Sequence, residues 1–210
     1  MKDSAIEWTH HTFNPWIGCT KVNALCTNCY AETMKDTRYG RVKWGPSGTR
    51  LRTTAQYWRQ PFRWDRDAAH SGERRRVFCA SLADIFEDRD ELTAWRRDLF
   101  SLIDQTRNLD WLLLTKRPEN IVAMWDTVRH VGGIRVARRD HVWLGTSVET
   151  QETADVAVPR LVECRELVPV ISLSVEPLPG PIRELPLEGI DWVIVGGESG
   201  RNARSTRRGC

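Results

Sequence analysis

Apolar and polar positions divide most of the chain into short apolar runs, each followed by small polar residues and a helix-like stretch. The pattern is regular from residue 77 onward. The runs are rich in β-branched and aromatic residues, which is typical of parallel strands buried on both faces. These predicted strands are Val77–Leu82, Trp111–Leu114, Val142–Leu144, Leu167–Val175 and Trp192–Val195.

The stretches between the runs predict helices. After the first strand, one apolar face has residues spaced three and four apart, with Asp90 as the predicted N-cap; its members are Leu92, Trp95, Leu99, Leu102 and Ile103. Pro118 suits the first turn of the next helix. A further helix is predicted from Gln151 to Glu163, bent or restarted at Pro159.

A strand before Cys19 and a helix from about Asn28 bring the pattern to six βα-like repeats. Parallel strands with crossover helices must be covered on both faces, which gives either a doubly wound sheet or a partial barrel. The periodicity is compatible with both. Because heptads, low-complexity tracts and internal sequence repeats are absent, we predict a single α/β domain over residues 1–210.

Polar residues collect directly after the predicted strands. In both architectures the carboxyl ends of the strands carry the functional groups, so these side chains are candidate site residues, although strand ends are also polar because they leave the core. They are Cys19, Ser81, Asp84, Thr115, Lys116, Arg117, Thr146, Ser147, Glu149, Ser174, Glu176, Gly196, Gly197, Glu198 and Ser199.

The segment 40–76 departs from the repeat. It carries ten basic residues against three acidic ones, interleaved with Trp44, Tyr57, Trp58, Phe62 and Trp64. Arginines neutralise phosphates and aromatic rings stack on bases, so one interpretation is a nucleic-acid surface. The other is an insertion whose aromatic residues anchor it to the domain while its arginines stay solvated.

Composition narrows the class of protein and its compartment. The chain is 40% hydrophobic and 28% charged, as in ordinary soluble domains. No apolar run is long enough to cross a bilayer, and residues 1–8 lack the apolar core of a secretory signal. We therefore expect a cytoplasmic protein without a membrane partner. Thiols stay reduced in that compartment, so clustered cysteines there are more often metal ligands than disulfide partners.

Three of the six cysteines lie close together, as Cys19, Cys26 and Cys29, with the spacing C-x6-C-x2-C. Three thiolates from one loop can bind three irons of a [4Fe–4S] cluster and leave the fourth iron open. The same cysteines with His10 or His11 would instead complete a tetrahedral zinc site. The spacing alone leaves both open.

The stretch from Asn14 to Ala31 resembles the cluster loop of the radical S-adenosylmethionine superfamily, especially the branch that contains spore photoproduct lyase. Ser81–Phe86 and Thr115-Lys116-Arg117 are similar to strand ends of that branch and occur in the same order. The chain also resembles a phage- and prophage-associated family of uncharacterised proteins, through Trp111–Pro118, Trp143–Glu149, Leu173–Pro181 and Asp191–Gly200. These resemblances imply a partial (β/α)6 barrel but no particular substrate.

The resemblance also implies cofactors and site residues. Cys19, Cys26 and Cys29 would hold a [4Fe–4S] cluster, an external one-electron reductant would supply the electron, and S-adenosylmethionine would be cleaved to a 5′-deoxyadenosyl radical. Ser81 and Asp84 are then candidates for holding the amino group of the cofactor. For its carboxylate and ribose the candidates are Lys116, Thr146 and Glu149, and Gly196 and Gly197 would let its adenine approach the backbone.

Two departures from the family pattern keep other functions open. The first cysteine gap is six residues instead of three, and residues 201–210 end the chain atypically, which predicts a truncated product with the last barrel edge uncovered. Beside the radical enzyme, whose substrate could be a nucleic acid, the alternatives are a zinc-stabilised nucleic-acid-binding module and an inactive remnant. The oligomeric state is left undefined by the sequence.

Overall fold

A computed structural model describes residues 4, 6–128, 130–131, 134–135 and 137–198. Its strands are β1 His11–Thr12, β2 Trp16–Ile17, β3 Leu51–Arg52, β4 Arg75–Cys79, β5 Leu109–Thr115, β6 His130–Val131, β7 Ile134–Arg135, β8 Val142–Ser147, β9 Val170–Val175 and β10 Trp192–Val195. Its α-helices are α1 Tyr30–Glu32, α2 Ala55–Trp58, α3 Gln60–Ser71, α4 Asp90–Gln105, α5 Ile121–Thr127 and α6 Gln151–Val162. A π-helical turn over Thr33–Arg38 continues α1, and 3-10 turns span Ala24–Asn28, Pro118–Asn120 and Arg165–Leu167.

Six strands form one parallel sheet in the order β1-β4-β5-β8-β9-β10. Since the order follows the chain without a reversal, the sheet lacks the switch point of a doubly wound fold. The sheet curls into a half-barrel, which confirms the predicted partial TIM-like barrel of six strands. The first predicted strand is only the two-residue β1 at the sheet edge.

The two faces of the sheet differ because side chains alternate along each strand. One set, including Val77, Leu113 and Leu144, is buried in the core with the helices. The other lines the concave face, where Leu114, Gly145, Ser172 and Trp192 lie in register across four strands.

Aromatic rings fill the concave face near the amino ends of the strands. Trp8 makes edge contacts with Phe78 and Trp192, with ring centroids 4.8 Å and 6.1 Å apart, and Trp192 also meets Trp143 at 5.7 Å. Aromatic pairs in this geometry add to the free energy gained by burial. The polar residues at the opposite, carboxyl ends of the strands are therefore the ones placed to meet a ligand.

The predicted helices are present, with differences at their ends. Asp90 is the first residue of α4, and the N-cap position belongs to Arg89, whose side chain makes no capping hydrogen bond. Pro118 opens a 3-10 turn that precedes α5. Thr150 caps α6 through a capping box, and Pro159 is accommodated within this helix without a restart. The predicted helix from about Asn28 is α1 and its π-helical extension.

The segment 40–76 is bound closely to the barrel. Strand β3 pairs antiparallel with β2, Tyr57 stacks on Phe13 with centroids 5.1 Å apart, and Trp64 stacks on His11 at 4.4 Å. Trp58 and Phe62 also pack against the core. These rings act as anchors, so the nucleic-acid prediction depends on the arginines of the segment.

Two further predictions concern membrane-spanning segments and the C-terminal end of the chain. None of the helices in the described ranges is long and apolar enough to span a membrane. Ser199 and the atypical tail at 201–210 lie outside the described residues.

Candidate metal centre

The first cysteine is attached to the sheet through the residue before it. Gly18 forms an isolated parallel bridge with Ala83 and donates its N–H to the Leu82 carbonyl at 3.0 Å. Gly18 has a φ of 114°, and a Cβ there would lie 2.7 Å from the Thr49 carbonyl oxygen. Only glycine suits this backbone and this contact. The pairing therefore places Cys19 beside the carboxyl end of β4.

Cys19, Cys26 and Cys29 are all partly buried, and none forms a disulfide. Their thiols share one electrostatic neighbour, because Cys26, Cys29 and Cys19 all act on the Lys116 ammonium, whose pKa is lowered by burial. Burial, reinforced by Asp84, raises the pKa of the Cys19 thiol to about 12. The loop that carries the three cysteines thus lies at the carboxyl end of the barrel, near Lys116.

Asp84 organises the strand ends around this centre. Its Oδ1 accepts hydrogen bonds from the Phe86 N–H at 3.0 Å and the Thr115 hydroxyl at 2.7 Å. Its Oδ2 accepts from the Lys116 N–H at 3.1 Å and from Arg117 Nη1 at 2.8 Å. A carboxylate has about four acceptor positions, and protein donors approach Asp84 from four sides. The structure therefore gives Asp84 a positioning role, and its predicted contact with a cofactor amino group stays a prediction.

Lys116 and Glu149 form an ion pair at the ends of β5 and β8. The Glu149 side chain is fully buried, and Oε2 has no hydrogen-bond partner among the described residues. A buried acceptor without a donor is costly, so this oxygen suits a hydroxyl or an amine supplied by a ligand. Glu149 was predicted to bind a ribose hydroxyl, and its environment fits that chemistry.

The other predicted cofactor residues have less ligand-like surroundings. The Ser81 hydroxyl pairs with the Asn14 side chain at 3.1 Å, and the Thr146 hydroxyl donates to the Thr115 carbonyl at 2.9 Å in a fully buried position. A Cβ at Gly196 would lie 2.9 Å from Glu176 Oε2, so this glycine admits a carboxylate at close range. Gly197 follows it in the loop after β10.

The zinc alternative required a histidine near the cysteines. His10 Nδ1 instead accepts a hydrogen bond from the Arg76 N–H at 2.9 Å. His11, which lies in β1, stacks on the ring of Trp64. Among the described residues, no group of three or more His, Cys, Asp or Glu side chains is arranged to hold a metal ion. Both histidines predicted for the Cys3His site thus make other contacts, and the zinc site stays a prediction.

Sequence reasoning missed Arg50 and Glu87 as members of this region and named Arg117 without its partners. Arg117 contacts Cys19, Thr20 and Asp84, while Arg50 and Glu87 form a buried pair behind it. Arg117 and Arg50 do appear in the sequence as a strand-end residue and as one arginine of the basic segment. Their roles depend on which acidic groups they meet, and the sequence carries no signal of that pairing.

The half-barrel fold of this chain is shared with a solved structure. The structure resembles a mutant of spore photoproduct lyase with bound AdoMet and dinucleoside spore photoproduct, with a TM-score of 0.58 and 14% sequence identity. The match covers 95% of this chain and 60% of the other, so the chain spans 60% of the length of that protein. At this identity the likeness shows a shared fold.

The chain belongs to the family described as "Protein of unknown function (DUF5131)", whose model matches residues 3–209. No curated protein matches the chain. The predicted association of the family with phages and prophages stays a prediction.

Proposed function

We propose that this chain is a radical S-adenosylmethionine enzyme that holds a [4Fe–4S] cluster through Cys19, Cys26 and Cys29. The observation that carries the proposal is the position of the cysteine loop at the carboxyl end of a half-barrel, where Arg117 lies 3.8 Å from Cys19 and the Lys116–Glu149 pair follows two neighbouring strands. With the cluster and S-adenosylmethionine bound, the centre would supply reductive cleavage to a 5′-deoxyadenosyl radical. The shared fold with a protein that binds AdoMet supports the assignment.

The chemistry of the donor set favours a cluster over a zinc ion. A zinc ion requires four ligands around one point, with Zn–S distances of about 2.3 Å, and the two histidines predicted as the fourth ligand contact Arg76 and Trp64 instead. A cluster places each thiolate on a different iron, so its ligands are spread more widely. Three cysteines of one loop, facing a lysine and a buried carboxylate, fit this arrangement.

The residues around the thiols divide into two groups in this proposal. Lys116 and Glu149 meet the polar end of S-adenosylmethionine, since Glu149 Oε2 is buried and lacks a protein donor among the described residues. Ser81, Thr146, Gly196 and Gly197 stay candidates for further contacts with the cofactor. Asp84 and Arg117 hold the strand ends and the cysteine loop in place.

Anaerobic reconstitution with iron and sulfide tests the proposal. We expect about four irons per chain, visible absorbance, and release of 5′-deoxyadenosine after addition of S-adenosylmethionine and dithionite. Cys26→Ala should lose all three signals because one iron loses its protein ligand. Cys164→Ala is the matched control, since Cys164 is buried in the core, away from the loop, and should keep them. A colourless wild-type protein with about one zinc would refute the proposal.

For the substrate we propose a nucleic acid, on the basis of one exposed face. Arg59, Arg63 and Arg66 lie four and three residues apart at the start of α3 and are exposed. This spacing places them on one side of the helix, where they could contact successive phosphates. The related fold in a protein with a bound dinucleoside photoproduct is consistent with such a substrate.

Binding of a short DNA duplex at several salt concentrations tests this second part. Replacing Arg59, Arg63 and Arg66 with glutamine should reduce the slope of log Kd against log salt by about 2 to 3, because each phosphate contact contributes about 0.9. A matched triple variant of other exposed arginines, Arg97, Arg138 and Arg160, should leave the slope near its wild-type value. Equal slopes in the two triple variants would contradict the assignment of this face.

A further inference from the structure

Arg117 contacts both the first predicted cluster ligand and the residue after it. Its Nη1 lies 3.8 Å from Cys19 Sγ, and its Nη2 donates to the Thr20 carbonyl at 2.6 Å. The guanidinium is held from the other side by Asp84 Oδ2 at 2.8 Å, and its side chain is 11% exposed. An arginine side chain keeps its positive charge at neutral pH, so Arg117 places that charge beside Cys19 Sγ.

A second arginine, Arg50, also donates a hydrogen bond to Thr20. Arg50 Nη2 donates to the Thr20 hydroxyl at 2.8 Å, and its guanidinium pairs with Glu87 through Nε–Oε2 at 2.8 Å and Nη2–Oε1 at 2.6 Å. The Arg50 side chain is fully buried, and Glu87 is 3% exposed. Thr20 is thus held at its carbonyl by Arg117 and at its hydroxyl by Arg50, which leaves the adjacent Cys19 little freedom to move.

We infer that Arg117 is a positioning residue that fixes Cys19 and raises the reduction potential of the cluster bound there. The inference rests on the proposed function. An N–H donor and a positive charge beside a ligand sulfur stabilise the reduced cluster, which carries one more negative charge than the oxidised cluster. The segment 40–76 also helps to position Cys19, because its Arg50 donates a hydrogen bond to Thr20 of the cysteine loop.

Redox titration of the reconstituted protein, followed by visible absorbance and electron paramagnetic resonance, tests this role. In Arg117→Gln the ratio of reduced to oxidised cluster at a fixed potential should fall about tenfold, since the variant loses a charge-assisted hydrogen bond. Arg117→Lys keeps a charge next to Asp84 and should show a smaller fall, of about threefold. Arg89→Gln is the control, because Arg89 lines the same cavity of about 700 Å³ beside Arg117 without contacting Cys19.

The outcomes separate the two proposals. If the wild-type protein takes up no iron, the proposed function is wrong. If it takes up iron and the cluster-bearing Arg117 variants titrate as the wild type does, the role of Arg117 is wrong and the function stands.

If neither Arg117 variant holds a cluster, the apo-proteins decide. Alkylation of Cys19 at fixed pH, followed by mass spectrometry, should be several-fold faster in a folded Arg117→Lys or Arg117→Gln protein, because neither side chain can make both the Thr20 and the Asp84 hydrogen bonds that hold the loop beside Cys19. Near-ultraviolet circular dichroism identifies the folded variants. An unchanged rate in both would overturn the role of Arg117.

Discussion

Glu149→Gln is expected to reduce cleavage of S-adenosylmethionine at least about 100-fold while leaving the iron content of the reconstituted protein unchanged. The Glu149 side chain is fully buried, pairs with Lys116 and presents an acceptor that has no partner among the described residues. Glutamine keeps the size of the side chain but removes the negative charge that balances Lys116. The cofactor would then meet an unbalanced ammonium and a weaker acceptor.

The measurement is the rate of 5′-deoxyadenosine release, with iron content and thermal stability recorded for the same samples. Glu152→Gln, in the first turn of α6 and exposed, is the matched control and should cleave at the wild-type rate. A Glu149→Gln protein that is folded, iron-loaded and as active as the wild type would remove Glu149 from the cofactor site.

Arg139→Met is expected to lower the free energy of unfolding by about 3 to 5 kcal/mol, because it leaves a buried carboxylate without its partner. Arg139 pairs with Asp104 through two contacts of 2.8 Å, and their side chains are 0% and 3% exposed. The same guanidinium donates to the Val128 carbonyl and lies over the rings of Phe100 and Trp125. Methionine fills part of the space but meets none of these polar groups.

Urea denaturation of the apo-protein measures this loss. Adding Asp104→Leu to Arg139→Met should recover a large part of it, since the double variant has no unpaired buried charge. Arg160→Met breaks an exposed pair with Glu163 and should change stability by less than about 1 kcal/mol. If the single Arg139 variant were as stable as the Arg160 control, the buried pair would have no structural importance.

Much of the fold could be predicted because buried strands and helix faces require apolar residues at regular positions in the sequence. The runs around Val77, Trp111, Val142 and Trp192 are apolar on both faces, and each became a strand of the parallel sheet. The helix face from Leu92 to Ile103 became α4 for the same reason. Helix ends were less predictable, since the cap of α4 depends on local backbone geometry that several residues could adopt.

In the candidate site, too, residues that lie close in sequence could be predicted, and contacts between distant residues could not. Cys19, Cys26 and Cys29 are recognisable because ligands from one loop lie close in sequence. Long-range partners of Asp84 and Arg117 are not, because Thr115 comes from β5 and Cys19 from the loop after Gly18, over separations of 31 and 98 residues.

The sequence by itself determined the class of the domain, its repeating strands and the cysteine loop, since these depend on local periodicity and spacing. Only the tertiary structure decided between a doubly wound sheet and a half-barrel, because strand order is a property of the assembled sheet. The tertiary structure also decided which charged side chains pair with one another. Packing brought Arg50 to Glu87 and Arg117 to Asp84 and Cys19, and buried charges must find partners that no single segment of the chain contains.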